Sequence, residues 1–115
     1  WYNVCSSHGS HSFPYGDTYE SETCNGTDFD NQMNTVDAAS LPSCQPSGAY
    51  AGVYDLSGNA WEWEDSCDGQ TGEMDECRVR GGAYAEFDTD LMCGAEKSFQ
   101  RRQERAYVGF RCCAE

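Results

Sequence analysis

The apolar positions of this chain are sparse and mostly aromatic, and they mark a few short elements separated by long polar stretches. Residues 59–64 put Trp61 and Trp63 on one face of a predicted strand, because alternate residues of a strand point to the same side. Residues 78–87 predict a second strand that carries a Gly-Gly bulge. Residues 107–113 predict a closing strand.

The stretches between these strands predict loops and little helix. Residues 17–47 are rich in Asp and Asn and show almost no periodicity, so an ordered loop is expected there. Residues 65–77 form an acidic loop, and residues 94–105 predict one short charged helix. Twelve glycines support a loop-dominated chain. The predicted fold class is therefore α+β: a small irregular module with short antiparallel strands and few helices.

Composition limits both the size of the core and the classes of partner. A chain of 115 residues supports one domain with a modest core. That core depends on seven Tyr, five Phe and three Trp, since Ile is absent. The net charge of −13 argues against nucleic acid, which needs a basic surface. No apolar run is long enough for a membrane span.

Eight cysteines in so short an acidic chain predict a disulfide framework, and hence an oxidising, secreted location. A zinc site is disfavoured because no C-x2-C pair occurs. Eight cysteines allow 105 pairings, but two local pairs are preferred because each closes a loop without regular structure. These are Cys24–Cys44 and Cys67–Cys77, and each bridge is worth about 3 kcal/mol through loop closure.

Four short motifs occur in a fixed order along the chain. They are Phe13-Pro14-Tyr15-Gly16, Leu56-Ser57-Gly58-Asn59-Ala60-Trp61-Glu62-Trp63, Arg80-Gly81-Gly82-Ala83-Tyr84 and Gly109-Phe110-Arg111-Cys112. In this order they resemble the formylglycine-generating enzyme (sulfatase-modifying factor) family. The resemblance implies a divergent C-type-lectin-like fold. It also implies that residues 1–115 are a single, truncated domain covering the later half or so of the family's usual one.

The resemblance extends to the remaining cysteines. It implies a Cys5–Cys93 bridge, since relatives join these two positions. The partner of the cysteine after Gly-Phe-Arg lies upstream of this sequence in relatives, so Cys112 and Cys113 have three outcomes: a vicinal disulfide, free thiols, or a bond to another chain. A truncated fold also leaves an uncovered edge, which favours a neighbouring polypeptide. A self-contained shortened module is the alternative.

Structural calcium is the cofactor that the resemblance implies. The first site uses the side chains of Asp55 and Glu62 with the carbonyls of Gly58 and Ala60, a donor set that suits a hard cation. Solvated acids beside a turn are the alternative. A second site uses Asn25, Gly26, Asp28 and Asp30, with Asn31 as a further donor. Asn25-Gly26-Thr27 is also a glycosylation sequon, and a glycan there would compete with calcium.

The family's catalytic residues are the point of departure. Catalytic relatives oxidise a target cysteine with copper held by two thiolates, which are soft ligands suited to Cu(I). The matching positions here are Glu86 and Leu91, and Ala83 replaces a serine. The expectation is therefore a protein that is not an enzyme. The alternative is a copper-dependent oxidoreductase whose active residues lie elsewhere.

The function expected from the sequence is that of a secreted, calcium-stabilised, non-catalytic module. It would act as a structural subunit of an extracellular assembly, or in recognition of a protein, a small ligand or a glycan. The resemblance implies that residues 85–92 and 97–107 would form the surface that faces the ligand in relatives. Four aromatic side chains there could anchor a partner, with at least two of them expected in the core: Tyr84, Phe87, Phe99 and Tyr107.

Overall fold

The computed structural model describes residues 1–31 and 33–112. Its regular elements are short: helix α1 (Tyr2–Cys5), 3-10 turns at Gly48–Tyr50 and Asp88–Asp90, and strands β1 (Trp61–Cys67), β2 (Glu76–Arg80), β3 (Glu96–Gln100) and β4 (Val108–Gly109). None of the helices in this described part is long and apolar enough to cross a bilayer. The predicted small, irregular α+β fold is confirmed.

The four strands form one sheet in the order β3-β2-β1-β4. Strand β2 pairs antiparallel with both β1 and β3, as predicted, but β4 runs parallel to β1. Antiparallel pairing is therefore wrong for β4. The reason is topological: β3 and β4 lie at opposite edges, so the chain crosses the sheet between them and returns in the direction of β1.

The predicted helix at residues 94–105 is wrong, because residues 96–100 form strand β3. This strand pairs with β2 residue by residue, with Lys97 opposite Val79 and Phe99 opposite Cys77. Phe99 packs against the buried cluster around Trp61. The alternation of inward and outward side chains is that of a strand. Charged side chains obscured it in the sequence.

The two faces of the sheet have opposite character. One face carries the main core, with Trp61, Val79 and Ala83 buried and a ring of half-buried residues around them: Trp63, Phe99, Tyr107 and Val108. The other face carries a grid of ion pairs, in which two arginines each contact two glutamates at 3.2–3.4 Å: Arg78 and Arg80 with Glu64 and Glu96. The aromatic face therefore provides the apolar burial of the sheet.

A second buried cluster lies beneath the loops and is built around a disulfide. Cys5, Leu56 and Cys93 are buried there, with Trp1, Val4 and Val53 packed against them. The structure forms three bridges, Cys5–Cys93, Cys24–Cys44 and Cys67–Cys77. These are the same three pairs that the sequence and the resemblance led us to expect. They hold together the long segments that lack strands or helices.

Candidate functional site

The sequence motifs that lie far apart in the chain meet at one end of the sheet. The amide of Gly58 donates a hydrogen bond to the carbonyl of Gly81 at 2.7 Å, and the amide of Tyr84 donates to the carbonyl of Asn59 at 3.2 Å. Strand β4 contains the glycine of the Gly-Phe-Arg motif and pairs with the start of β1. The three segments therefore form one structural unit.

Gly58 shows why this unit needs its glycine. Its φ angle is +75°, in the left-handed region that side chains disfavour. A Cβ atom at this position would lie 2.3 Å from the carbonyl oxygen of Asn25, which is backbone and cannot swing away. That same carbonyl accepts a hydrogen bond from the amide of Asn59 at 2.7 Å. Any side chain at residue 58 would therefore push the two loops apart.

A charged cluster surrounds Glu86, one of the two residues that the resemblance matches to copper-binding cysteines. The ammonium group of Lys97 lies 3.0 Å from the carboxylate of Glu86 and 2.9 Å from that of Asp90. It also lies 4.9 Å from the centre of the Trp61 ring, within cation–π range. The indole N–H of Trp61 donates to Glu86 at 2.9 Å. Glu86 is thus held by two donors, and we call these four residues the Lys97 cluster.

The Lys97 cluster favours a charged lysine. Partial burial alone would lower the pKa of Lys97, but hydrogen bonds to Asp90 and Glu86 outweigh it and raise that pKa above its ordinary value. Leu91, the second residue that the resemblance matches to a copper-binding cysteine, is buried with 1% of its surface exposed. Its methyl carbons lie only 2.4 and 2.8 Å from where Cβ atoms on Gly26 and Gly82 would be, so the two glycines leave room for this side chain. One position therefore forms ion pairs and the other packs as core.

Two residues of the first predicted calcium site, Asp55 and Glu62, lie together, and a positively charged side chain lies beside them. Asp55 and Glu62 line one cavity of about 310 Å³, together with Arg111. The carboxylate of Asp55 accepts a hydrogen bond from the amide of Ala39 at 2.8 Å. The carboxylate of Glu62 accepts bonds from the indole of Trp1 and from two nitrogens of Arg111. The carbonyl of Gly58 accepts from the amide of Ala60 at 2.9 Å.

This donor set has the chemistry of a calcium site, since it consists of carboxylate and carbonyl oxygens. It does not fit calcium while Arg111 holds both oxygens of Glu62, because a second cation would face a guanidinium at close range. Arg111 would have to leave Glu62 before calcium could bind there. Calcium at Asp55, Gly58, Ala60 and Glu62 stays a prediction.

The residues of the second predicted calcium site are divided between interior and surface. Asn25 is buried, and its amide nitrogen donates to the carbonyl of Asn34 at 2.9 Å and to the side chain of Asn59 at 3.1 Å. The carbonyl of Gly26 accepts from the amide of Phe29. Asp28 and Asp30 are exposed. Within residues 1–31 and 33–112, no three His, Cys, Asp or Glu side chains are arranged to hold a metal ion.

Asp28 interacts with a tyrosine in the same region. It accepts a hydrogen bond from the hydroxyl of Tyr19, and burial together with Asp28 raises the pKa of Tyr19 to about 12.

The predicted glycosylation sequon begins at Asn25. Its amide nitrogen is the atom that a glycan would modify, and in the folded domain it is buried and donates two hydrogen bonds. The folded domain therefore does not present this sequon to a glycosylating enzyme.

An apolar groove with a free thiol lies beside the second core cluster. The groove has a volume of about 450 Å³ and is lined mainly by apolar side chains: Trp1, Val4, Val53, Leu56 and Trp63. Glu64, Asp65, Arg111 and Cys112 complete its wall. Cys112 is exposed and its thiol is free. Cys113, the other cysteine without a predicted partner, lies outside the described residues. We call this feature the Cys112 groove.

The predicted ligand-facing aromatics divide as expected between core and surface. Phe99 and Tyr107 pack against the buried Trp61 cluster, and Tyr84 is half-buried. Phe87 is exposed over 64% of its surface. The sequence did not predict the roles of Lys97 and Arg111. The alternation in β3 was the available signal for Lys97, whereas Arg111 was visible only as part of a motif.

The comparisons with known proteins bear on the family and on the fold. A family model described as "Sulfatase-modifying factor enzyme 1-like domain" matches residues 2–115. The chain belongs to the sulfatase-modifying factor family. A search of curated proteins returned no match.

Among solved structures, the family member described here is similar to one reported as the crystal structure of CarF. The two superpose with a TM-score of 0.73 at 21% sequence identity. The match covers 96% of this chain but 42% of that chain. At this identity the likeness shows the fold alone, and this chain spans less than half the length of the structure it matches.

Proposed function

We propose that this sulfatase-modifying factor domain is a non-catalytic module that acts outside the cell by binding a protein partner. The observation that carries the proposal is the Lys97 cluster. Glu86 is bound by Lys97 and Trp61, and Leu91 is packed in the core. A copper site needs two thiolates at these positions, and neither a carboxylate in an ion pair nor a buried alkyl group supplies one. Three disulfides fit an oxidising compartment.

The Cys112 groove supports assembly as the form of binding. Its apolar lining is of the kind that a partner covers, and its wall carries an exposed free thiol. In an oxidising compartment an unpaired cysteine favours a disulfide between chains. The occupant we propose is therefore a cysteine-bearing apolar segment of another polypeptide. Recognition of a soluble ligand is the second candidate, and the exposure of Phe87 favours it.

The absence of catalysis is tested by copper titration and oxygen uptake. Because Cys112 has a free thiol that can bind Cu(I), the titration compares the wild type with a Cys112→Ser/Cys113→Ser variant. We expect any copper bound by the wild type to be lost in this variant. We also expect no oxygen uptake when a cysteine-containing peptide is added. Stoichiometric Cu(I) retained by the double variant, with peptide-dependent oxygen uptake, would establish the enzyme alternative instead.

A further inference from the structure

The carboxylate of Glu62 and the carbonyls of the preceding loop converge on one side chain. Glu62 is 8% exposed, and both of its oxygens accept hydrogen bonds from the guanidinium of Arg111. The same guanidinium donates to the carbonyl of Tyr54 at 3.0 Å and to that of Asp55 at 3.3 Å. The indole of Trp1 completes the set on Glu62 at 2.8 Å. Arg111 thus binds a carboxylate and two carbonyls at once.

These contacts are the ones that a bound cation would make. Carboxylate and carbonyl oxygens are the donors that calcium prefers. A guanidinium is a permanent cation whose planar fork matches a carboxylate with two parallel bonds. The pairing also neutralises Glu62, whose carboxylate is buried and accepts a hydrogen bond from Trp1. Residues 54–62 are therefore held closed by a positive group that the chain itself supplies.

We propose that Arg111 is the resident cation of the loop 54–62 and that calcium and Arg111 compete for it. Calcium binds this loop only as far as the guanidinium leaves Glu62. The folded wild-type domain consequently needs no calcium for stability at this site, and removing Arg111 creates a calcium dependence. The inference rests on the contacts of Glu62 and is independent of the partner-binding proposal.

The test is a calcium titration of the wild type, Arg111→Gln and Arg105→Gln, followed by calorimetry and by thermal melting. Arg105 is the matched control, because its loss removes the same charge but its guanidinium stacks on Phe99 and bonds to Tyr107. We expect the melting temperature of the wild type to differ less between calcium and chelator than that of Arg111→Gln. Arg111→Gln should bind calcium at least about tenfold more tightly than the wild type, since a close cation is removed. Its melting temperature should rise with calcium.

In Arg105→Gln the calcium affinity should rise by no more than the small amount that a change in net charge produces. If Arg111→Gln fails to fold, Arg111→Lys replaces it, since an ammonium keeps the charge but cannot form the two-bonded fork, and a gain over the wild type is still expected. Calcium affinity that is unchanged or weaker in the Arg111 variants would overturn the proposal. A difference in stability between calcium and chelator that is as large in the wild type as in Arg111→Gln would also overturn it.

Discussion

Replacing Cys5 and Cys93 together by alanine is expected to lower the free energy of unfolding by about 4.5 kcal/mol. This bridge spans a sequence separation of 88 residues, so its loss frees nearly the whole chain in the unfolded state. Both cysteines are buried beside Leu56, so their removal also disturbs a core cluster. Since small domains have only about 5–15 kcal/mol in total, this loss is between about a third and nine-tenths of the stability. Urea denaturation monitored by tryptophan fluorescence measures the change.

The matched control for that prediction is the double variant Cys67→Ala/Cys77→Ala. This bridge spans a separation of 10 residues, so the loop-closure argument gives a loss of about 3 kcal/mol. The two variants delete the same atoms but differ in the length of the loop and in burial, since Cys67 is only half-buried whereas Cys5 and Cys93 are in a core cluster. Equal losses in the two variants, or a larger loss for the shorter loop, would contradict the role assigned to Cys5–Cys93.

Trp61→Ala should cost about 3–5 kcal/mol, as is typical of a large aromatic removed from a core. Trp61 is fully buried at the centre of the aromatic face, and its indole N–H also holds Glu86. The same change therefore opens a cavity and loosens the Lys97 cluster above it. Chemical denaturation gives the change in stability. A solution NMR comparison of the Lys97 side chain reports the change in the cluster.

Trp63→Ala is the control on the same strand and the same face. Trp63 is half-buried and meets Phe99 edge-on at 6.3 Å between ring centres. Because the loss scales with the apolar area that was buried, and part of Trp63 is exposed, its cost should be smaller than that of Trp61→Ala. The Lys97 signals should also stay unchanged in Trp63→Ala, since Trp63 donates nothing to Glu86. A cost for Trp61→Ala no greater than that for Trp63→Ala would contradict the central position of Trp61.

The parts of the fold that the sequence predicts are those with a local signal. Trp61 and Trp63 alternate within six residues, and this alternation predicts β1. The loop lengths between Cys24 and Cys44 and between Cys67 and Cys77 favour two of the bridges. Strand β3 is the counterexample, because charged residues there look like a helix surface until Lys97 and Phe99 find their partners across the sheet.

The site is harder to predict because its contacts are long-range. Nothing near Glu86 in sequence shows that Lys97 will neutralise it, since the two meet only when β3 pairs with β2. The same holds for Glu62 and Arg111, which are 49 residues apart. Motifs predict which segments belong together, but they do not predict which charged side chains form ion pairs. Those pairs depend on how side chains from distant segments pack in the folded domain.

The measurement that tests the central claim most directly is the intact mass of natively isolated protein without reductant. If Cys112 joins this domain to a partner, the mass falls on reduction by the mass of that partner. Cleavage after Arg111 should then release a peptide beginning at Cys112 that is disulfide-bonded to foreign sequence. A mass that changes on reduction only by the hydrogens of internal bridges, with no foreign peptide attached at Cys112, would contradict assembly through the Cys112 groove.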